Sequence, residues 1–154
     1  MTDKAINILY IDDEPHNLIA FKAAFRRDFN VFTAESAIEA RKLIDQIDIH
    51  VILSDQRMPI ITGIEFFESI VDTHPEPIRI LITGYTDISA VIDAINRGQV
   101  YKYLTKPWNE NDIRIFVRAA YEVLSLRRQN AELSKKLLAA NHKLEFLVRQ
   151  SLLS

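Results

Sequence analysis

The sequence predicts a doubly wound α/β domain built on a parallel β-sheet. Five short apolar segments recur between Asn7 and Leu104, and segments with helical spacing of apolar residues separate them. The apolar segments are nearly continuous rather than alternating. That pattern is typical of parallel strands that helices cover on both faces of the sheet.

The predicted strands are bounded by polar, Gly or Pro residues. They are residues 7–11, 30–34, 50–54, 78–82 and 100–104. In doubly wound sheets, ligands bind beyond the carboxyl ends of the strands. The polar residues that follow the strands are therefore the candidates for a functional site.

The connecting helices carry recognisable start and stop signals. Pro15 suits the first turn of the first helix, where no backbone N–H is needed. The other signals are two capping boxes, an N-cap, a C-terminal glycine and the start of the last helix: Ser36–Glu39, Thr62–Glu65, Asp87, Gly98, and Asn109 or Asn111. Helices are thus expected between all successive strands and after the last one.

Composition narrows the functional classes. The 154 residues include no cysteine, which excludes disulfides and thiolate chemistry. Residues 1–120 hold 13 Lys and Arg against 18 Asp and Glu, whereas residues 121–154 hold 6 against 3. An acidic body with a mildly basic tail argues against direct nucleic-acid binding. No apolar segment reaches the roughly 20 residues of a membrane span, and we expect a cytoplasmic protein without membrane insertion.

Four of the five strand exits carry a polar side chain suited to phosphate or metal chemistry. These residues are Asp12, Asp13, Asp55, Thr83 and Lys106. Neighbouring carboxylates repel one another unless a cation lies between them, and hard oxygen ligands favour Mg²⁺ or Mn²⁺. An aspartate can also act as the nucleophile that forms an acyl phosphate. Any one of these residues alone is more simply a helix cap or a loop residue; their coincidence at four exits favours a site.

Together with their neighbours, these residues resemble the receiver domain of bacterial two-component response regulators. The matching motifs are Asp12-Asp13, Asp55 with Met58-Pro59 and Gly63, Thr83-Gly84, and Lys106-Pro107. The resemblance covers residues 5–122 and implies a flavodoxin-like sheet with strand order 2-1-3-4-5. Residues 123–154 form a separate helical extension in this interpretation.

The resemblance implies a role for each carboxylate. Asp55 would accept a phosphoryl group from the phosphohistidine of a sensor histidine kinase or phosphotransfer protein. Asp13, Asp55 and the backbone carbonyl of Arg57 would bind Mg²⁺, or Mn²⁺ in its place, and Asp12 would bind it through water.

The resemblance also implies residues that bind the phosphoryl group and change position in response to it. Lys106 would contact it, next to a cis peptide bond to Pro107, and Thr83 and Gly84 would bind it from the neighbouring strand. Thr83 and Tyr103 would form the switch that changes the surface of the fourth helix, last strand and last helix. The competing interpretation of Tyr103 is an ordinary strand aromatic on the same face as Tyr101.

Three positions are less usual for the family. Gly84 stands where alanine or serine is common, and opens access to the site. Arg57 and Tyr85 lie two residues past Asp55 and Thr83, where side chains tune how fast water removes the phosphoryl group.

The tail predicts a coiled coil. A seven-residue repeat runs from Phe116 to the end of the chain, with no Gly or Pro after Pro107. The seam of the extension is formed by Val123, Leu126, Asn130, Leu133, Leu137, Leu144 and Leu147. Asn130 at a seam position favours a parallel two-stranded homodimer. The alternative is a single helix that folds back on its own domain.

The leading interpretation is a phosphorylation-activated signalling switch rather than an enzyme. It would be active only in its own phosphorylation and dephosphorylation at Asp55. A second interpretation is a fragment of a longer regulator whose enzymatic or DNA-binding output domain lies elsewhere. A third is a small Mg²⁺-dependent phosphatase, which is less favoured because Arg57 stands where such enzymes carry a second aspartate.

Overall fold

The computed structural model describes residues 5–84 and 88–153. The predicted N-cap Asp87 and the tuning residue Tyr85 lie outside the described residues. The strands are β1 (Asn7–Ile11), β2 (Asn30–Ala34), β3 (Val51–Asp55), β4 (Ile78–Thr83) and β5 (Lys102–Thr105). The helices are α1 (Pro15–Phe25), α2 (Ala37–Gln46), α3 (Gly63–Ile70), α4 (Ile88–Asn96) and α5 (Glu110–Leu153).

The five strands form one parallel sheet in the order β2-β1-β3-β4-β5. This confirms the predicted doubly wound fold and its strand order. Every residue of β3 and β4 is buried, as expected of central strands covered on both faces, whereas the edge strand β5 is half-buried along its length. Asp55 is the last residue of β3, so its backbone is held by the sheet while its side chain lies at the carboxyl edge.

Two apolar layers cover the sheet. One lies against α1 and α5 and includes Phe21, Phe25 and Val117. The other lies against α2, α3 and α4 and includes Phe67 and Val91. Val91 and Ala94 supply the buried face of α4, whereas Ile92 is 46% exposed.

The helix-start predictions are confirmed in part. At α3 the capping box is complete: the Thr62 hydroxyl accepts from the Glu65 N–H, and the Glu65 carboxylate accepts from the Thr62 N–H. At α2, Ser36 caps the Glu39 N–H, but the Glu39 carboxylate accepts from the Glu35 N–H (2.8 Å) rather than from Ser36. The reciprocal half of that predicted box is therefore shifted by one residue.

The two ends near β5 also have defined caps. Gly98 has φ of 75°, the left-handed conformation that closes α4. Asn109, rather than Asn111, caps α5, because its side-chain oxygen accepts from the N–H groups of Asn111 and Asp112. β5 begins two residues later than predicted, at Lys102.

Helix α5 has 44 residues and only its first part contacts the sheet. Its buried face consists of Ile113, Val117, Ala120 and Leu124. The last described contact with the body is Arg128, whose guanidinium pairs with Asp48 (2.9 Å) and Glu76 (2.7 Å). The helix does not fold back on the domain. Among the described residues, no helix has the length and apolar character of a membrane span.

Candidate functional site

Three carboxylates meet at the carboxyl edge of the sheet. Asp12 and Asp13 directly follow β1, and Asp55 ends the neighbouring strand β3. One oxygen from each lies within 4.8 Å of the others. Asp12 is fully buried and Asp55 is 5% exposed, while Asp13 is half-buried. Because strands β1 and β3 are adjacent and parallel, the sheet itself creates this concentration of negative charge.

Lys106 supplies the positive charge that faces this cluster. Its backbone N–H donates to the Thr83 carbonyl (3.0 Å), which continues the β4–β5 pairing by one residue. The ammonium reaches Asp55 Oδ1 at 2.8 Å, and the following Lys106–Pro107 peptide bond is cis. Burial raises the pKa of Asp55, the Lys106 ammonium opposes that rise, and the charges of Asp12 and Asp13 add to it. The site therefore disfavours the charged form of Asp55 even with the Lys106 ammonium beside it.

Thr83 ends β4 beside the cluster. The residue is 1% exposed, and its hydroxyl donates to the Gly84 carbonyl oxygen (3.1 Å). In the part of the chain that the structure describes, no atom lies within 4 Å of the position where a Cβ on Gly84 would be. The expected phosphoryl-binding residues Thr83, Gly84 and Lys106 therefore lie at neighbouring strand exits, on the same edge as Asp55.

The loop after β3 is tied closely to the strand. A Cβ on Gly63 would lie 2.6 Å from the Asp55 carbonyl oxygen and 2.7 Å from Leu81 Cδ1. Only glycine fits this approach without a shift of its neighbours. The buried Gln56 side chain accepts from the Ile64 N–H (3.0 Å), which fastens the start of α3 to the end of β3. Arg57, whose carbonyl is the predicted metal ligand, is exposed between them.

Sequence reasoning missed two residues of the site, Tyr10 and Asn17. Both donate to Asp12 Oδ2, the Tyr10 hydroxyl at 2.8 Å and the Asn17 amide at 3.0 Å. Burial raises the pKa of Tyr10 far above its usual range, and the Asp12 charge adds to the rise, so the phenol remains a donor. The two-residue spacing of Tyr10 and Asp12 on one strand was the available signal, since alternate residues share a face.

Tyr103 lies in the middle of β5, paired with Leu81, and Thr83 pairs two residues further along with Thr105. Its side chain is half-buried and packs against the α2–α3–α4 layer. It also lines a surface cavity of about 500 Å³ with Lys102, Trp108 and Phe116. The predicted switch residue therefore lies on the strand next to Thr83 and borders the same surface cavity as Phe116 of α5.

The fold and this edge of the sheet define a doubly wound domain with an acidic pocket and a facing lysine. Residues 8–118 match the family described as the response regulator receiver domain. The chain is 39% identical over 127 residues to the hydrogenase transcriptional regulatory protein HoxA of Cupriavidus necator, which covers 82% of this chain and 26% of that protein. It is 33% identical over 140 residues to the nitrogen assimilation regulatory protein NtrX of Azorhizobium caulinodans, which covers 85% of this chain and 29% of that protein.

Two solved structures share this fold. A structure described as the adenylate cyclase from Rhodopirellula baltica has a TM-score of 0.81 and 34% identity, and covers 84% of this chain and 97% of that one. A response regulator receiver domain protein from Clostridium thermocellum has a TM-score of 0.74 and 31% identity, and covers 79% of this chain and 98% of that one.

The chain belongs to the response regulator receiver family of two-component systems. Receiver domains are signalling switches rather than enzymes in the usual sense, and their partners are histidine kinases or phosphotransfer proteins. They generally bind Mg²⁺ through an acidic pocket, and this chain has the matching Asp cluster. The chain spans only about a quarter of the length of the curated regulators it matches.

Proposed function

We propose that Asp55 is the phosphoacceptor of this receiver. The observation that carries the proposal is the convergence of Asp12, Asp13 and Asp55 within 4.8 Å, with the Lys106 ammonium 2.8 Å from Asp55. In the reaction, an Asp55 oxygen bonds to phosphorus as the bond from phosphorus to the kinase histidine nitrogen breaks. The histidine leaves with that electron pair, and water later releases inorganic phosphate and restores Asp55.

The donor set fits Mg²⁺ or Mn²⁺. The side chains of the cluster offer only carboxylate oxygens, and no described histidine belongs to it. Asp13, Asp55 and the Arg57 carbonyl would bind the ion, and Asp12 would complete the site through water. When bound, the ion would neutralise charge that develops on the phosphoryl oxygens.

Neighbouring residues of the chain would read the new group. The Lys106 ammonium already pairs with Asp55 Oδ1 and would then contact the phosphoryl group. Thr83 would exchange its bond to the Gly84 carbonyl for one to a phosphoryl oxygen. Tyr103 would then move into the space beside β4 and change the surface that it shares with Phe116 of α5.

The test is intact-mass spectrometry of the full chain with a small phosphodonor. We expect one added phosphoryl group in Mg²⁺ and none in chelator. The Asp55→Asn variant should gain none under either condition. Phosphorylation of Asp55→Asn to the wild-type level, or Mg²⁺-independent phosphorylation, would overturn the assignment. Multiple turnover on phosphate esters, lost in Asp55→Asn, would favour the phosphatase interpretation instead.

The tail supports a parallel homodimer. Beyond Arg128 the side chains of α5 are exposed to the end of the described helix, including Leu133, Leu137 and Leu144. At 3.6 residues per turn, Leu126 lies about 200° around the helix from the buried Leu124. The seam therefore faces away from the receiver body and is accessible to a second copy. Val123 differs from the other seam residues because it packs partly against the receiver core.

Leu137 and Leu138 offer a matched pair for testing this dimer. They are 64% and 59% exposed, but only Leu137 lies on the predicted seam. We expect Leu137→Glu to convert the protein to a monomer in light scattering, and Leu138→Glu to leave the dimer intact. A wild-type monomer at high concentration, with and without phosphodonor, would remove the dimer from the proposal.

The switch is proposed to act in the cytoplasm, through its kinase and through contacts of α5, without binding nucleic acid itself. The longer relatives keep a second arrangement open, in which an output domain elsewhere receives the signal. The complete gene sequence distinguishes these arrangements.

A further inference from the structure

The side chains beneath the acidic pocket form a hydrogen-bond network around Asp12. This carboxylate is fully buried and receives three donors from the described residues. Tyr10 Oη and Asn17 Nδ2 donate to Oδ2, and the Glu14 N–H donates to Oδ1 at 3.0 Å. A carboxylate has about four acceptor positions, so the network leaves Asp12 about one, on Oδ1.

The Tyr10 ring is itself rigidly held. It stacks on Phe21 of α1 with ring centroids 4.1 Å apart and 10° between planes. Phe21 contacts Phe25 and Trp108, and Trp108 follows the Lys106–Pro107 segment. The phenol therefore approaches Asp12 from a packed aromatic cluster, with little freedom to choose another partner.

A phenylalanine at position 10 would keep the ring stacked on Phe21. The hydroxyl is the costly part of this side chain, because a buried phenol without a partner is destabilising. Here its partner is not a backbone carbonyl but a carboxylate of the acidic cluster. The geometry thus ties a core position of β1 to the candidate metal site.

We propose that Tyr10 is a positioning residue of the cation site, which together with Asn17 holds Asp12 so that its one remaining acceptor position on Oδ1 serves the cation or its water. This inference rests on the proposed Mg²⁺ site. The class of ligand is a hard divalent cation, and Tyr10 acts on it only through Asp12. Removing a hydrogen-bond partner of a direct metal ligand typically changes affinity by about 10- to 100-fold, and the effect here should lie at the lower end because Asp12 acts through water.

The test is the Mg²⁺ dissociation constant of the full chain, measured by isothermal titration calorimetry without phosphodonor. Tyr10→Phe keeps the stacked ring and removes the hydroxyl donor to Asp12. Asn17→Ala removes the amide donor to the same oxygen, at a half-buried position. Each should weaken Mg²⁺ binding about 10-fold or more. Because both act on the same oxygen, the loss in the double variant should be smaller than the product of the two single losses.

Phe25→Leu is the matched control for a general loss of core packing. Phe25 belongs to the same aromatic cluster but is not bonded to Asp12. This variant should lose stability and keep its Mg²⁺ affinity. If the wild type binds Mg²⁺ and both Tyr10→Phe and Asn17→Ala bind it within twofold of the wild type, this inference fails alone. If the wild type binds no Mg²⁺, the proposed site fails with it. If Tyr10→Phe does not fold, Asn17→Ala decides the matter.

Discussion

Replacement of Gly63 by alanine tests how tightly the loop after β3 is packed on the phosphoacceptor strand. The new Cβ would lie 2.6 Å from the Asp55 carbonyl oxygen and 3.1 Å from Ser54 Oγ. An ordinary van der Waals contact begins at 3.4 Å, so the Asp55 carbonyl is too close by about 0.8 Å. That oxygen belongs to the backbone of a central strand and cannot move alone. The second close atom, Leu81 Cδ1 at 2.7 Å, lies in a fully buried side chain.

The cost follows from this geometry. Overpacking of a filled core typically costs about 1–3 kcal/mol, and contact with backbone favours the upper end of that range. The better helix propensity of alanine returns at most about 1 kcal/mol, and less at the first helical residue. We therefore expect a loss of about 2–3 kcal/mol in the free energy of unfolding. For a chain of this size that loss lowers Tm by roughly 4–12 °C.

Urea unfolding of Gly63→Ala beside Gly84→Ala gives a matched comparison. Among the described residues, nothing lies within 4 Å of the position of a Cβ on Gly84, and this glycine does not have positive φ. Its replacement should leave stability unchanged or raise it by up to about 1 kcal/mol, because alanine restricts the unfolded chain. Gly63→Ala should also slow phosphorylation, since it displaces the backbone of Asp55. Equal stability of the two variants would refute the reasoning.

Three further perturbations test the charges of the fold. Asp55→Asn should raise the free energy of unfolding in chelator, because it removes a buried charge beside two carboxylates. The difference should shrink in Mg²⁺, and a variant less stable than the wild type in chelator would contradict this. Asp48→Asn should cost about 0.5 kcal/mol at neutral pH, a small value because Asp48 is 61% exposed. Hydrogen bonds from Arg128 lower the pKa of Asp48 in the folded protein. The stabilisation by Asp48 is therefore fully present above pH 3.8, the ordinary pKa of this carboxyl group, and is lost as the pH falls through the lowered pKa. The free energies of unfolding of the wild type and Asp48→Asn should converge at low pH. Arg79→Leu should lower the free energy of unfolding, measured in urea, by about 2–4 kcal/mol. The reason is that the buried guanidinium donates to four backbone carbonyls, which would lose this donor. A loss below about 1 kcal/mol would indicate that water replaces the guanidinium as the donor.

Features set by local sequence were predictable. The order of elements and the Thr62–Glu65 capping box follow from periodicity and from residues three apart. The positions of the acidic residues at the strand ends followed from the same patterns, because parallel strands place their carboxyl ends on one edge. Local patterns leave freedom of about one residue, which is why Glu39 accepts from Glu35 rather than from Ser36.

Contacts between distant segments were not predictable in this way. Arg128 pairs with Asp48 and Glu76, which are 80 and 52 residues away, and no periodicity relates them. The role of Tyr10 lies between these cases. Its spacing from Asp12 was visible, but alternation does not reveal that Asp12 turns back to accept the phenol instead of facing solvent.

Helix α5 is one uninterrupted element that links the site to an exposed leucine stripe, formed by Leu133, Leu137, Leu144 and Leu147. Its buried face packs on β3 and β4, the strands that end in Asp55 and Thr83. No Gly or Pro follows Pro107, so the helix has no residue at which bending is favoured between the sheet and the stripe. Arg128 holds the helix to the loops that precede β3 and β4, at the edge of the sheet opposite Asp55. We therefore expect a change in how the sheet packs on α5 to alter the direction in which the leucine stripe leaves the domain, while the Arg128 ion pairs hold the helix at the opposite edge.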